Sequence, residues 1–133
     1  MNCIFCKIIN KEIPSKTIWE NEYFQAILDI NPVCDGHTLI IPKKHFEDIF
    51  ALDNQHQNEL FKAIKEVSAI LTKAFSLKGC SFSINYGDKQ EVKHFHCHIM
   101  PDYHIKPKKS IDEIYAIIQG STHEKEKKNE KVN

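Results

Sequence analysis

The chain has 133 residues, 41% of them hydrophobic, and its 18 lysines plus arginines equal its 18 aspartates plus glutamates. That length fits one domain with a real core, and the zero formal charge supplies no basic field for nucleic acid. No segment is long or apolar enough to span a membrane and MNCIFCKIIN is not a secretory leader, so a cytoplasmic protein is expected.

The stretch up to Pro14 is short and irregular, a turn or a brief helix, and carries Cys3 and Cys6 in C-x-x-C spacing. Thr17–Trp19 and Tyr23–Asp29 are rich in aromatic and β-branched residues and flank a polar turn, the pattern of a hairpin. Asn31-Pro32 breaks the second strand, Asp35-Gly36 turns the chain, and HTLII (37–41) reads as a buried strand ended by Pro42. Asp53 caps a helix over roughly 54–77. Its apolar positions are Leu60, Phe61, Ile64, Val67, Leu71, Ala74 and Phe75, with Gly79 as the stop. CSFSINY (80–86) alternates as a strand, Gly87-Asp88 turns, and HFHCHIMP (94–101) supplies the last strand. Residues 111–118 form a short C-terminal helix, and the charged segment 121–133, almost without apolar residues, is expected to be disordered behind a single domain over 1–120. About five short strands around one long helix indicate an α+β fold with a mostly antiparallel sheet.

HFHCHIMP holds three of the eight histidines at every second position. On a strand, His94, His96 and His98 share one face, while Phe95, Cys97 and Ile99 share the other. A lone histidine would read as a satisfied surface or core group; three in alternation do not. Two neighbours of the three suit a metal pair, but the outer Cα atoms lie about 13 Å apart, too far to share one ion. Phosphate chemistry suits them better. A neutral imidazole is a nucleophile near pH 7, and its neighbours can bind the phosphate or assist the leaving group.

On these residues the chain resembles the histidine triad family of nucleotide hydrolases and transferases, whose signature is His-x-His-x-His with hydrophobic spacers. CIFCKIINKEIP, DINPVCDGHTLIIPKKH and NYGDKQEVKHFHCHIMP resemble family segments in the same order, from about Cys3 to Pro101. The CIFCKI start is similar to the Hint-like branch of nucleoside phosphoramidate hydrolases, not to the diadenosine polyphosphate hydrolases. The third histidine, where uridylyltransferase relatives carry glutamine, implies hydrolysis. The alternatives are a non-catalytic, zinc-stabilised nucleotide-binding or interaction module on the same fold, or a diadenosine polyphosphate hydrolase.

The resemblance implies a histidine triad fold and assigns roles. His96 is the nucleophile that forms a nucleotidyl-histidine, His98 contacts the phosphate or leaving group, and His37 stands beside them. Asp29 holds the ribose hydroxyls of a purine nucleotide. Ile30, chosen over Leu28, lines the base pocket. Asn85, Gly87 and the backbone of Gln90, Glu91 and Val92 face the phosphate. Without the resemblance, His37 reads as a hydrogen-bonded strand-end histidine and Asp29 as a turn residue. The turn between Gly87 and Gln90 is shorter than the family's Gly-rich one, holding only Asp88 and Lys89. Cys3 and Cys6, half of a tetrahedral zinc site by spacing or else two buried thiols, are joined through the resemblance by His45 and His94 into a structural Cys2His2 zinc site. A homodimer joined edge to edge through its sheets is implied as well, and one small sheet leaves a strand edge to cover.

Overall fold

The computed structural model describes residues 3–102 and 104–132, with side chains described as far as residue 122. Alternating apolar residues form five short strands: β1 (Thr17–Glu20), β2 (Phe24–Leu28), β3 (Thr38–Pro42), β4 (Ser81–Ile84) and β5 (Cys97–Met100). They join in one antiparallel sheet of order β1-β2-β3-β5-β4. Three helices accompany it: α1 (Ile4–Ile9), α2 (Asn54–Phe75) and α3 (Ile111–Val132). The β1–β2 hairpin closes as expected, the Asn21 carboxamide oxygen accepting the Tyr23 and Phe24 N–H groups, each at 2.8 Å.

Strand alternation divides the sheet into two unlike faces. Phe24, Ala26, Leu28, Ile40, Phe95, Cys97 and Ile99 point to one face, against Leu60, Ala63, Val67 and Leu71 of α2 and Ile114 and Ile118 of α3. Each large apolar side chain sealed there contributes about 1.5–3 kcal/mol. Ile27, Leu39 and Ile41 point the other way, where the six-residue α1 with its N-cap Cys3 covers them, joined by Val92. The histidines lie on this second face: Leu39 pairs with His98, so the even-numbered residues of β5 share its side of the sheet.

Local chemistry sets the boundaries of α2. The Asp53 carboxylate accepts the His56 N–H at 2.8 Å and caps the start. The end differs from the sequence reading: Ser76, at φ 51°, takes the left-handed cap and the helix stops before Gly79. The following Leu77 N–H reaches back to the Thr72 carbonyl at 3.1 Å, which satisfies an end group that would otherwise need a glycine cap. Phe61 fits the helical spacing but lies off the buried face, 71% exposed.

Two further differences concern the ends of the chain's motifs. The ladder of β5 begins only at Cys97, so His94 and Phe95 precede it; the Phe95 N–H instead meets the Phe46 carbonyl at 2.6 Å. The short C-terminal helix is a long one, and helical backbone continues to Val132 through the segment expected to be disordered. That segment has too few apolar residues to build a core. After Gly120, however, it has no glycine or proline to break a helix, and its Glu and Lys are good helix formers.

Candidate active site and metal centre

The end of β2, the loop behind it and the start of β3 place Asp29 and His37 together. The Asp29 N–H donates to the His37 carbonyl at 3.0 Å, and Gly36, at φ 84°, makes the turn between them. A Cβ on Gly36 would come within 3.1 Å of the Pro101 ring, so the turn also needs the missing side chain. Sheet pairing then sets His98 beside His37, with His37 Nε2 and His98 Nδ1 2.9 Å apart.

Backbone groups determine which nitrogens carry protons. The Val33 N–H, which can only donate, meets His37 Nδ1 at 3.1 Å. His37 Nδ1 is therefore the acceptor and Nε2 carries the proton, which it donates to His98 Nδ1. His98 in turn carries its proton on Nε2, free to donate outward. The Asp29 carboxylate lies 3.6 Å from the same His37 Nε2. Burial keeps both rings neutral: it pushes the His98 pKa down to about 4, helped by His96 and His37, and lowers His37 against the pull of Asp29.

His96 is arranged in the opposite sense. Its Nδ1 lies 2.8 Å from the His94 carbonyl, which can only accept. Nδ1 is thus a protonated nitrogen, and in the neutral ring the lone pair lies on Nε2. The ring is 6% exposed and stands 5.0 Å, centroid to centroid, from His98. Cys97 between them faces the core, where burial pushes its thiol up to about 12, so it takes no part in the chemistry.

The turn expected to face a phosphate is fastened from beneath. Gly87–Lys89 form one helical turn, with Gly87 at φ 65°. The Gln90 side chain, buried, accepts the Gly87 N–H at 3.1 Å and donates to the Glu47 carbonyl at 2.8 Å. Lys93 donates its ammonium to the Gly87 carbonyl. The side chain of Gln90 therefore holds the loop. Asn85 lies on the histidine face, two residues beyond Ser83, which pairs with His98. Val92 packs against the cluster of Cys3, Phe5 and Ile27, whereas Glu91 is exposed. Ile30 stands 71% exposed beyond the strand, while Ile27 sits on the histidine face beside Phe5. Leu28 belongs to the helix-covered core.

Cys3, Cys6, His45 and His94 converge, with donor atoms all within 4.8 Å of one another. Cys3 Sγ and His94 Nδ1 are 3.3 Å apart, Cys6 Sγ and His45 Nδ1 3.3 Å, Cys6 Sγ and His94 Nδ1 3.6 Å, and the two Nδ1 atoms 3.1 Å. Tetrahedral zinc–ligand bond lengths place sulfur and nitrogen about 3.5 Å apart and two nitrogens about 3.3 Å apart. Lone-pair direction also fits. His94 Nε2–H donates to the Pro42 carbonyl at 3.0 Å, which turns the Nδ1 lone pair into the cluster. Burial lowers the His94 pKa to about 4, keeping that lone pair free. Burial and the adjacent Cys3 raise the Cys6 thiol, so the two sulfurs resist ionising together without a cation between them.

Asp29, His37 and His98 also lie within 4.8 Å of one another. Their chemistry is different. The Val33 N–H holds a proton on His37 Nε2, the atom that would have to ligate, so this trio conducts hydrogen bonds and does not cage an ion. Sequence reasoning foresaw both sets of residues but not the groups that orient them: Val33, Pro42 and Phe5 act through backbone direction and packing, which no motif displays.

No helix among the described residues is long and apolar enough to cross a membrane. Comparison with known proteins gives a consistent result. The family profile described as the HIT domain matches residues 10–105. The adenosine 5'-monophosphoramidase HNT1 of Saccharomyces cerevisiae is 40% identical over 101 residues, 74% of this chain and 61% of its own length. The crystal structure of a hypothetical histidine triad nucleotide-binding protein from Sulfolobus tokodaii superposes with a TM-score of 0.81 at 36% identity, covering 92% of this chain and 93% of that one. A zinc-bound histidine triad family protein from Mycobacterium smegmatis superposes with a TM-score of 0.77 at 27% identity, covering 96% and 97%. A matched profile over most of the chain, and a shared fold with the three histidines on one face, mean that this chain belongs to the histidine triad family.

Proposed function

We propose that the protein hydrolyses purine nucleoside phosphoramidates, or related AMP conjugates, through a nucleotidyl-histidine on His96. The observation that carries this reading is the hydrogen bond from His96 Nδ1 to the His94 carbonyl, which in the neutral ring places the lone pair on Nε2. The likeness to a yeast adenosine monophosphoramidase supports the substrate class.

His96 Nε2 attacks the α-phosphorus and forms the N–P bond. The P–N bond of the substrate breaks, its electron pair leaves with the amine, and the amine takes a proton from solvent. Water then attacks phosphorus, the N–P pair returns to His96, and AMP and the proton are released. His98 donates from Nε2 to a phosphate oxygen as charge accumulates there, and the Val33–His37–His98 chain keeps it a donor throughout. Asp29 accepts from the ribose hydroxyls. Asn85, Gly87 and the backbone of Gln90, Glu91 and Val92 face the phosphate, and Ile30 with Ile27 borders the base.

The Cys3–Cys6–His45–His94 cluster holds a structural zinc ion that pins α1 onto the sheet, with no open coordination position. The working unit is a homodimer in the cytoplasm, joined along β4, which forms one edge of the sheet. Phe82 and Ile84 are exposed there at 51% and 38%, and Phe61 of α2 is exposed at 71%. The experiment is incubation with adenosine phosphoramidate conjugates. AMP release together with a trapped adenylyl adduct on His96 is expected; nucleotide binding with neither product nor adduct would replace the enzyme with a binding module.

A further inference from the structure

Apart from the ring of His98, 5.0 Å away, the contacts that orient the nucleophile come from the Cys2His2 cluster or from residues next to it. The His94 carbonyl that accepts from His96 Nδ1 at 2.8 Å belongs to a residue whose side chain faces Cys3 and Cys6. Phe5 lies between those cysteines in α1 and is 6% exposed. Its ring meets His94 edge-on at 5.7 Å and 88°, and His96 at 5.0 Å and 74°. On the opposite side, the Phe95 N–H is held by the carbonyl of Phe46, the neighbour of His45. The His94–His96 segment leads into β5, whose assigned span begins at Cys97.

We propose that Phe5 is a positioning residue which transmits the order of the Cys2His2 centre to His96, so that metal occupancy sets the rate of attack at phosphorus. The inference rests on the zinc and nucleotidyl-histidine readings above. The imidazole ring has one contact to its backbone, at Nδ1, and rotation about its own axis is limited on one side by the Phe5 edge. A nucleophile reacts only when its lone pair points at the reacting atom, and small misalignment costs rate steeply. Nucleotide binding should follow this path only weakly: Phe5 packs beside Ile27 and Val92, but Asp29 and His37 are held to each other in the loop between β2 and β3, away from α1.

The test uses the full chain with Phe5→Leu, which keeps an apolar side chain in the same place, and Cys3→Ser. Three quantities are measured: zinc content, AMP dissociation constant, and single-turnover adenylylation of His96. Nitrogen-15 NMR of the imidazoles reports independently whether His96 keeps the proton on Nδ1 alone. Phe5→Leu should retain its zinc and bind AMP within about twofold of wild type, yet adenylylate about tenfold or more slowly. Its His96 nitrogens should show mixed tautomers. Cys3→Ser should give the same signature with zinc lost, and the double variant should be no slower than Cys3→Ser, since both substitutions act through one path. Phe5→Leu with wild-type adenylylation and a single His96 tautomer would overturn the proposal. So would additive losses in the double variant. If wild type forms no adduct, the catalytic reading fails, and the NMR signature in Phe5→Leu and Cys3→Ser still decides whether the metal centre orders His96.

Discussion

Two backbone groups set where the protons lie on three neighbouring imidazoles. A carbonyl facing Nδ1 makes His96 a base at Nε2; an amide facing Nδ1 of His37 makes His98 a donor at Nε2. Replacing His96 by glycine removes the only lone pair so directed. Hydrolysis should fall by about three orders of magnitude or more, with zinc content and AMP binding unchanged, as read by single-turnover assay and elemental analysis. The histidines also leave a signature in acid stability. His98, held from the ordinary 6.5 to about 4 by burial, binds its proton less readily folded than unfolded. Unfolding therefore takes up a proton below about pH 6.5, and this contribution destabilises the fold as pH falls toward 4. His98→Gln, which cannot titrate, should lose less melting temperature than wild type between those values when both are followed by circular dichroism. Equal losses would mean that the ring is not held neutral.

At the level of elements, the sequence revealed the hairpin, the long helix and its aspartate cap, because each depends on short-range chemistry: periodicity, an N-cap, turn residues. It was less informative where ends are decided by distant groups. The His triad looked like one strand, yet the Phe95 N–H meets the Phe46 carbonyl ahead of the assigned strand, and His94 turns to Cys3, Cys6 and His45. Helix α2 stops at a left-handed serine because the Leu77 amide finds Thr72, a contact that composition does not display. The site followed the same rule. Residue types and spacing singled out His94, His96, His98 and the Cys3–Cys6 pair, and the family resemblance added His37 and His45, whereas the placing of Ile27 on the histidine face needed the parity of β2 to be known. Helix α1 gives the sharpest test at this scale. Six residues form too short a helix to persist alone. Chelation, or Cys3→Ser, should release α1 to rapid amide exchange. A site worth even about 3 kcal/mol should lower the melting temperature by roughly 10 °C. Unchanged melting on complete zinc removal would deny the cluster its structural role.

The whole molecule has one well-covered face and an unfinished edge. Strand β4 lies at the end of the sheet, and its Phe82 and Ile84 point to the helix-covered side where α2 does not reach them. Phe61 on α2 and the Phe50–Tyr86 ring pair, 4.9 Å apart and both exposed, add apolar surface. A second copy that continues the sheet would cover this surface and satisfy the edge. Phe82→Glu places a charge there without touching the core or the histidines. Light scattering should show wild type as a dimer and this variant as a monomer; a monomeric wild type would remove the need for the edge contact.

The two-faced alternation of the strands also bears on how the protein could be changed. Along β2, β3 and β5, odd and even positions hold separate inventories. Phe24, Ala26, Leu28, Ile40, Cys97 and Ile99 decide whether the chain folds. On the proposed function, Asp29, His37, His98 and their neighbours on the opposite face decide what it reacts with. A library confined to the second set, with the first held constant, would vary reactivity on a scaffold whose helix-packed core never enters the draw. Selection for new leaving groups could then proceed with few unfolded members, because neighbouring residues on one ribbon answer to different requirements.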